Sequence, residues 1–285
     1  MRIKKVLITG CSSGFGRLLV TGFLEQGWKV LATMRNADER SNLFNEEIQK
    51  YRDQLKILNF DVSSERDLKL IEQHLIEFEN SELDCLINNA GFGVYGALED
   101  ISPEQVREQF DTNVLGLILT TRGMLKFLRA SKGQIINSSS AFGYCVMPLT
   151  SLYCSSKYAI EGFSESMYYE LKAFGVRVNL IEPGAFRTDF KSKTIWGEKS
   201  DWPGSPYYQQ SQNYKMLSEK LMDSGGHPRV VVRAVLKAAG QKNPPLRIRC
   251  GRDAGLVYFA KRLVPEPIFR WMNAQVFHFI FNRKC

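Results

Sequence analysis

A tyrosine and a lysine stand four residues apart in the sequence Tyr153-Cys154-Ser155-Ser156-Lys157. The segment that follows has the apolar spacing of a helix, so both side chains would project from one helix face. Because an ammonium group favours a nearby phenolate, we expect Lys157 to lower the Tyr153 pKa from about 10 toward neutrality. Tyr153 is then a candidate acid or base. Alone, the pair could equally be part of a solvated helix face.

Three serines precede this pair and end an apolar strand predicted over residues 134–140, with the sequence QIINSSS. In an open parallel sheet, ligands bind at the carboxyl ends of the strands. A hydroxyl group there could hydrogen-bond the oxygen whose proton Tyr153 moves. Ordinary turn chemistry after a strand is the competing explanation for the serines.

Composition indicates one α/β domain with a substantial core, since 44% of the 285 residues are hydrophobic. The formal charge is +8, but basic and acidic residues are interleaved, which favours a solvated surface over nucleic-acid binding. The six cysteines are far apart and show no metal-binding spacing, so we expect a reducing, cytoplasmic compartment and no metal. We find no signal peptide and no stretch of transmembrane length.

A glycine-rich turn, Thr9-Gly10-Cys11-Ser12-Ser13-Gly14-Phe15-Gly16, follows the first predicted strand at residues 6–8 and precedes a helix. Its three glycines let the backbone approach a pyrophosphate, and the N–H groups at the helix start point toward that charge. The turn therefore predicts a dinucleotide site. Its candidate contacts are Gly10, Ser12, Ser13, Gly14, Phe15 and Gly16.

The residues at the end of the second predicted strand, residues 29–33, help to determine whether NAD or NADP binds. An acidic residue at this point usually binds the ribose of NAD, whereas an arginine can pair with the 2′-phosphate of NADP. Here Met34 and Arg35 follow the strand, and Ser12 can contribute a hydroxyl group. We therefore predict NADP(H) in preference to NAD(H). If Arg35 is only a solvated loop residue, the choice stays open.

Small and polar residues also follow the next predicted strands, at residues 56–60, 83–87 and 176–181. Asp61 either accepts a hydrogen bond from the adenine amino group or forms a turn. The small residues after the fourth strand leave room for a ribose, and Thr188 could hydrogen-bond a nicotinamide carboxamide. The candidate cofactor contacts at these strand ends are Asp61, Val62, Asn89, Ala90, Gly91, Pro183, Gly184, Phe186 and Thr188.

Three further features stand out. Asn113 lies inside a helix predicted from Ser102 to about Leu128, where it is either a structural hydrogen-bonding bridge or part of a polar relay. Residues 190–226 form a long excursion rich in Trp and Tyr, which indicates a lid over a bulky apolar substrate or a hydrophobic anchor. Residues 264–285 form an aromatic amphipathic helix that packs on the core or a subunit, or lies on a membrane.

Together these motifs resemble the short-chain dehydrogenase/reductase family over roughly residues 5–190, and more weakly to residue 251. The form IEPG at residues 181–184 and ATMR at residues 32–35 resemble its branch of hydroxysteroid and retinol dehydrogenases and their bacterial relatives. In that branch a glycine follows the catalytic serine by three residues, so Gly143 favours Ser140 over Ser139. The matching pieces, in the order of the family, are Thr9-Gly10-x-x-x-Gly14-x-Gly16, Asp61-Val62, Asn88-Asn89-Ala90-Gly91, Asn113, Ser140, Tyr153-x-x-x-Lys157 and Pro183-Gly184.

The resemblance implies a fold and a reaction. The fold is one Rossmann-type α/β domain over residues 1–285, a doubly wound parallel sheet with helices on both faces. In the reaction, Tyr153 is the acid/base, Ser140 holds the substrate oxygen, Lys157 binds the nicotinamide ribose and Asn113 holds a water. Hydride passes between NADP(H) and a carbonyl or alcohol of a lipid-, steroid- or retinoid-like compound, in a homodimer or homotetramer. The rival function is a regulator that binds the dinucleotide without turnover.

Overall fold

A seven-stranded parallel sheet forms the centre of the protein, seen in a computed structural model that describes residues 2–281. The strand order is β3-β2-β1-β4-β6-β7-β9, so β2 and β3 are added on one side of β1 and the later strands on the other, beginning with β4. This change of side opens a crevice at the carboxyl ends of β1 and β4. Met1 and residues 282–285, with Arg283, Lys284 and Cys285 of the predicted tail, lie outside the described residues. The strands are β1 Lys5–Ile8, β2 Lys29–Met34, β3 Leu55–Asn59, β4 Cys85–Asn88, β5 Gly93–Tyr95, β6 Gln134–Ser138, β7 Arg177–Pro183, β8 Thr194–Trp196 and β9 Arg247–Cys250.

Helices cover both faces of this sheet, as predicted. Alternate residues of β1 point to opposite faces, so Val6 and Ile8 join one core cluster and Leu7 joins another. The first cluster packs under α1 and α10, and the second under α4, α6 and α7. The helices are α1 Gly14–Glu25, α2 Ala37–Arg40, α3 Asn45–Tyr51, α4 Glu65–Phe78, α5 Pro103–Phe110, α6 Gly116–Ser131, α7 Ser151–Lys172, α8 Phe190–Lys193, α9 Tyr208–Asp223, α10 Arg229–Gly240, α11 Arg252–Leu263 and α12 Glu266–Phe281.

The helix that carries Asn113 begins as predicted but is not uniform. Ser102 Oγ accepts a hydrogen bond from the Gln105 N–H at 3.3 Å, and Gln105 Oε1 accepts one from the Ser102 N–H at 3.1 Å. This reciprocal pair satisfies two backbone donors at the helix start. A π-helical turn, Asp111–Leu115, then separates α5 from α6 and contains Asn113. Such bulges are frequent at functional sites.

Residues 190–226, predicted only as a long excursion, contain regular secondary structure. They contain α8, β8 and α9, and β8 pairs in parallel with β5 to form a second, two-stranded sheet. This pairing joins positions about one hundred residues apart, which a local pattern cannot reveal. Helices α2, α3 and α11 were also absent from the prediction.

The predicted C-terminal helix is present as α12 and contacts α9 and α11. It thus lies against the excursion that we predicted to be a lid. Within residues 2–281, no helix combines the length and the apolar character needed to cross a lipid bilayer.

Candidate active site

The crevice at the carboxyl edge of the sheet opens into one cleft of about 1100 Å³. Its lining includes the predicted residues Ser140, Tyr153 and Lys157. It also includes every predicted cofactor contact except Gly16, namely Gly10, Ser12, Ser13, Gly14, Phe15, Arg35, Asp61, Val62, Asn89, Ala90, Gly91, Pro183, Gly184, Phe186 and Thr188. Gly16 and Asn113 are not among the lining residues. The cleft therefore brings together residues from the beginning, the middle and the end of the chain.

Tyr153 lies in the first turn of α7, with its side chain almost entirely buried and its ring edge-on to Tyr95. The Ser140 side chain is close enough to act on the Tyr153 phenol and to favour its charged form. Aromatic rings surround it, with centroid distances of 5.7 Å to Tyr95, 5.9 Å to Phe142 and 5.6 Å to Phe190. The Tyr153 phenol therefore has the Ser140 hydroxyl on one side and a group of aromatic rings around it.

The geometry distinguishes Ser140 from Ser139. Ser140 Oγ accepts a hydrogen bond from the Phe142 N–H at 3.2 Å, in addition to its contact with Tyr153. Ser139 donates its backbone N–H to the Ile181 carbonyl at 2.9 Å, and its buried hydroxyl finds no hydrogen-bond partner within residues 2–281. Of these two serines, Ser140 is the one whose side chain acts on the Tyr153 phenol.

Lys157 lies one helical turn beyond Tyr153, as the four-residue spacing predicted. Its Nζ donates to the Ser138 carbonyl oxygen at 2.8 Å and lies 5.6 Å from the centre of the Tyr153 ring. Burial lowers the pKa of Lys157 to about 8, against the opposing influence of the Glu161 carboxylate. The ammonium group is therefore held in the cleft with little solvation.

The predicted direction of the Tyr153 pKa is wrong in this structure. Burial raises that pKa above its ordinary value, and the nearby Ser140 side chain offsets only part of the increase. The expectation considered the lysine charge but not the aromatic chamber that removes water from the phenol. Because a charged phenolate loses more solvation than a neutral phenol, burial favours the protonated form.

Asn113 is fully buried in the π-helical turn and bridges two segments. Its Oδ1 accepts from the Phe92 N–H at 3.1 Å, and its Nδ2 donates to the Phe92 carbonyl at 2.8 Å and to Ser156 Oγ at 3.4 Å. These contacts make it a structural bridge between the strand-end segment after β4 and α7. Because Ser156 belongs to α7, the bridge also helps to fix the helix that carries Tyr153.

The glycine turn has the shape that a dinucleotide phosphate requires. Gly10 adopts φ +71°, and a side chain there would lie 2.8 Å from the Ala90 Cα. Asn89 Nδ2 closes the turn by donating to the Thr9 carbonyl at 2.9 Å and the Gly10 carbonyl at 3.1 Å. The buried Ser13 hydroxyl has no hydrogen-bond partner within the described chain. A close backbone approach and an unused donor fit a bound phosphate.

The part of the cleft near Arg35 carries more positive charge than we predicted. Arg35 is largely exposed, and its Nη1 lies 4.0 Å from Asp61 Oδ2. Asp61 Oδ1 accepts from the Ser63 N–H at 3.0 Å and from its hydroxyl at 2.7 Å, so Asp61 does form a turn. Arg40 and Lys193 also line the cleft and were missed, since α2 and α8 are short elements without a clear pattern.

The segment after β7 supplies the opposite wall. Phe186 is buried edge-on to Phe15 at 5.9 Å, and Thr188 Oγ1 accepts from the Phe190 N–H at 3.3 Å. Asp189 Oδ2 accepts from the Gly14 N–H at 3.2 Å, which shows that the first amide of α1 attracts an anionic group. This wall joins the glycine turn to the lid segment.

An aromatic chamber lies at the other end of the cleft. Tyr95 from β5 lies 5.8 Å from Trp196 of β8 and 6.1 Å from Tyr214 of α9, measured between ring centroids. Sequence reasoning predicted aromatic residues in the excursion but missed Tyr95, whose role depends on the β5–β8 pairing. The chamber residues are Tyr95, Phe142, Tyr153, Phe190, Trp196 and Tyr214.

The sequence and the fold match known proteins. A family model described as short chain dehydrogenase matches residues 4–198. The 3-ketodihydrosphingosine reductase of Bacteroides thetaiotaomicron is 34% identical over 256 residues, which cover 88% of this chain and 89% of that protein. Retinol dehydrogenase 8 of Bos taurus is 32% identical over 257 residues, which cover 86% of this chain and 81% of that protein.

A solved structure gives the same result. The crystal structure of a short-chain dehydrogenase from Streptomyces avermitilis superposes with a TM-score of 0.80 at 26% identity and covers 96% of this chain and 98% of that one. Fold, motifs and similarity agree, and the chain belongs to the short chain dehydrogenase family of oxidoreductases.

Proposed function

We propose that the protein is an NADP(H)-dependent oxidoreductase that interconverts a carbonyl and an alcohol on a bulky apolar substrate. The observation that carries this proposal is the grouping of Tyr153, Ser140 and Lys157 in one cleft, where the Ser140 side chain acts on the Tyr153 phenol and the Lys157 ammonium lies 5.6 Å from its ring. These side chains stand between a turn shaped for a dinucleotide and an aromatic chamber. A cofactor bound at the turn and an apolar substrate bound among the rings would therefore both be next to the Tyr153 phenol.

Each end of the cofactor has candidate partners in the cleft. The turn from Gly10 to Gly16, with the Ser13 hydroxyl, would hold the diphosphate, and Asp61 with Val62 would contact the adenine. Lys157 would bind the nicotinamide ribose hydroxyls, and Thr188 the carboxamide. When bound, the nicotinamide supplies or accepts a hydride. All remaining chemistry falls to the side chains of this chain.

Tyr153 is the proposed acid in reduction and base in oxidation. The raised Tyr153 pKa keeps the phenol protonated at neutral pH, which is the form that donates a proton to a carbonyl oxygen. Ser140 donates a hydrogen bond to the same oxygen and so stabilises the charge that develops there. The Lys157 charge acts on Tyr153 after proton donation, when the phenolate forms. We propose that Asn113, in addition to its bridging contacts, holds a water that returns the proton.

The aromatic chamber supports an apolar substrate. Its six rings present mostly apolar surface, although the three tyrosines and Trp196 each carry one polar group, and the cleft continues past Leu221 and Met222 of α9 to Phe269 of α12. Two relatives are named for a ketodihydrosphingosine and for retinol, both molecules with long apolar chains. A screen of long-chain and cyclic ketones and alcohols with NADPH or NADP tests the proposal directly. Turnover of at least one such compound is expected, whereas tight cofactor binding without turnover would favour the regulator.

The preference for NADP rests on Arg35, together with Arg40 and Lys193 nearby. Solved proteins of this fold contain NADP in some cases and NAD in others, so selectivity depends on such local residues. In Arg35→Asp, kcat/KM with NADPH should fall about 10- to 100-fold, because an ionic hydrogen bond becomes a repulsion. With NADH it should change little. Steady-state kinetics with both cofactors measure the ratio.

The control for this prediction is Arg122→Asp, which changes an exposed arginine on α6 away from the cleft. It should leave both kcat/KM values unchanged. Equal losses with NADPH and NADH in Arg35→Asp would show that Arg35 does not read the 2′-phosphate.

We also propose that α11 and α12 rest on an anionic lipid surface. Leu263 and Trp271 have exposed fractions of 77% and 63%, and the apolar residues of each helix recur every three or four positions on one outward face. The exposed set is Leu256, Phe259, Leu263, Ile268, Trp271 and Met272. The opposite side of α12 lines the cleft through Phe269, Asn273 and Phe277. An apolar substrate that leaves the lipid would thus enter the cleft directly, because α12 borders both.

Charge favours lipid as the occupant of this face. Arg252, Lys261, Arg262 and Arg270 are exposed on the two helices, against two acidic residues, Asp253 and Glu266. Basic residues beside an apolar helix face attract anionic headgroups. A neighbouring copy, in the homodimer or homotetramer also proposed for this chain, is the competing occupant of this face.

Vesicle binding separates these two occupants. The protein should sediment with phosphatidylglycerol-containing vesicles, and Leu263→Glu with Trp271→Glu should lower the bound fraction about tenfold or more. The matched control is Phe78→Glu, an exposed aromatic residue on α4. A double variant that binds vesicles normally but shows a smaller mass in sedimentation equilibrium would overturn the lipid proposal in favour of a second copy.

A further inference from the structure

Glu161 is a buried acidic residue that no step of the proposed reaction uses. It lies on α7 one helical turn beyond Lys157, so the two side chains share a helix face. Both are removed from solvent, with exposed fractions of 6% for Lys157 and 8% for Glu161. A buried carboxylate and a buried ammonium group at this spacing influence one another, because little water screens them.

The charge of Lys157 depends on two opposing influences on its pKa, burial and the Glu161 carboxylate. Burial lowers its pKa to about 8, and the Glu161 carboxylate is the group that raises it. The hydrogen bond from Nζ to the Ser138 carbonyl is made to a neutral group. Removal of the Glu161 charge would therefore lower the Lys157 pKa further. The neutral amine would then become common near physiological pH.

Glu161 is held in place by two neighbouring elements, β9 and the turn after β6. Arg247 of β9 donates through Nε to Glu161 Oε2 at 2.9 Å, and through Nη2 to Glu165 at 2.8 Å. The turn after β6 also packs closely, since a side chain at Gly143 would lie 2.9 Å from Glu161 Cγ. Glu161 Oε1 is buried and has no hydrogen-bond partner within the described chain. The carboxylate is thus fixed beside the catalytic helix turn but not fully neutralised.

Other ionisable groups shape this environment. Glu182 is completely buried, and burial together with the Glu161 charge raises its pKa to about 7, against Arg249 and Arg247. Glu182 therefore changes charge in the same range of pH. The groups around Lys157 and Glu161 are Tyr153 and Glu165 on α7, Tyr144 after β6, Glu182 on β7, and Arg247 and Arg249 on β9.

We propose that Glu161 is a positioning residue that keeps Lys157 in its ammonium form through electrostatic attraction across one turn of α7. This inference rests on the proposed function, because the reaction needs the positive charge of Lys157 beside Tyr153. Glu161 itself touches neither substrate nor cofactor. Its effect reaches the reaction only through the protonation of the lysine.

The first readout is the pH dependence of kcat/KM. In Glu161→Gln the alkaline limb should move to lower pH by about one unit, since a charge at one helical turn in a partly buried site has this order of effect. Activity should be close to wild type at pH 6 and about tenfold lower above pH 8. Glu165→Gln, which removes the half-exposed partner of the same arginine, should leave the limb almost unchanged.

The second readout needs no turnover. With lysines labelled with carbon-13 at Cε, the Lys157 resonance, assigned from its loss in Lys157→Met, should titrate about one unit lower in Glu161→Gln than in wild type. Glu161→Asp, which keeps the charge, should shift it less and serves if the Gln variant does not fold. An unchanged Lys157 titration in a folded Gln variant, or an equal shift in Glu165→Gln, overturns the inference. If the screen finds no substrate but the resonance shifts, only the proposed function fails.

Discussion

Tyr153→Phe is expected to lower kcat/KM by about 10³-fold or more, because the variant keeps the ring but loses the only proposed proton donor. The buried ring contacts with Tyr95, Phe142 and Phe190 do not involve the hydroxyl group, so the fold should persist. Cofactor affinity should change little, since the glycine turn and Lys157 remain. Steady-state kinetics and a fluorescence titration with NADPH measure the two quantities separately.

A matched control exists on the same helix. Tyr158 is half-exposed, and its hydroxyl group accepts a hydrogen bond from Lys261 at 2.9 Å, outside the cleft. Tyr158→Phe should therefore retain wild-type kinetics. If Tyr153→Phe keeps most of its activity, the proton donor lies elsewhere. If instead it loses NADPH binding, the hydroxyl group holds the cofactor and the assigned role is wrong.

Lys157→Met is expected to affect both binding and turnover. Methionine has a similar length and suits a buried site, but it removes the ammonium group that lies 5.6 Å from the Tyr153 ring. We expect kcat to fall roughly 100- to 1000-fold, because the phenolate formed on proton donation loses its nearest positive charge. The KM for NADPH should rise as well, since the same group is proposed to bind the nicotinamide ribose.

The relative changes in kcat and in the KM for NADPH distinguish a role of Lys157 in turnover from a role in cofactor binding. Lys172→Met, an exposed change in the last turn of α7, is the control and should alter neither constant. A variant that raises KM with kcat unchanged would limit Lys157 to cofactor binding. Wild-type values for both constants would remove it from the site.

Local sequence patterns were sufficient for much of the fold and of the cofactor cleft. The glycine turn, the capping box at Ser102 and the Tyr153 to Lys157 spacing each depend on residues that are close in the chain. Parallel strands place their carboxyl ends at one edge, so residues that follow different strands could be assigned to one site. Ser140 and Tyr153 could be assigned to one site in the same way from the sequence alone.

What the sequence did not reveal depends on distant contacts. The pairing of β5 with β8 builds the aromatic chamber and brings Tyr95 to Tyr153, yet neither short strand has a strong pattern. The error in the Tyr153 pKa has the same origin, since the loss of solvation comes from rings contributed by several segments. Arg40 and Lys193 reach the cleft from short helices for a similar reason.

The measurement that tests the central claim most directly follows the hydride itself. NADPH deuterated at the transferable position of C4 is incubated with the protein and a ketone identified in the screen, and the alcohol is analysed by mass spectrometry. We expect one deuterium at the carbinol carbon with wild type and with Tyr158→Phe, and almost none with Tyr153→Phe. Bound NADPH with no deuterium transferred, or equal transfer by Tyr153→Phe, would contradict the account.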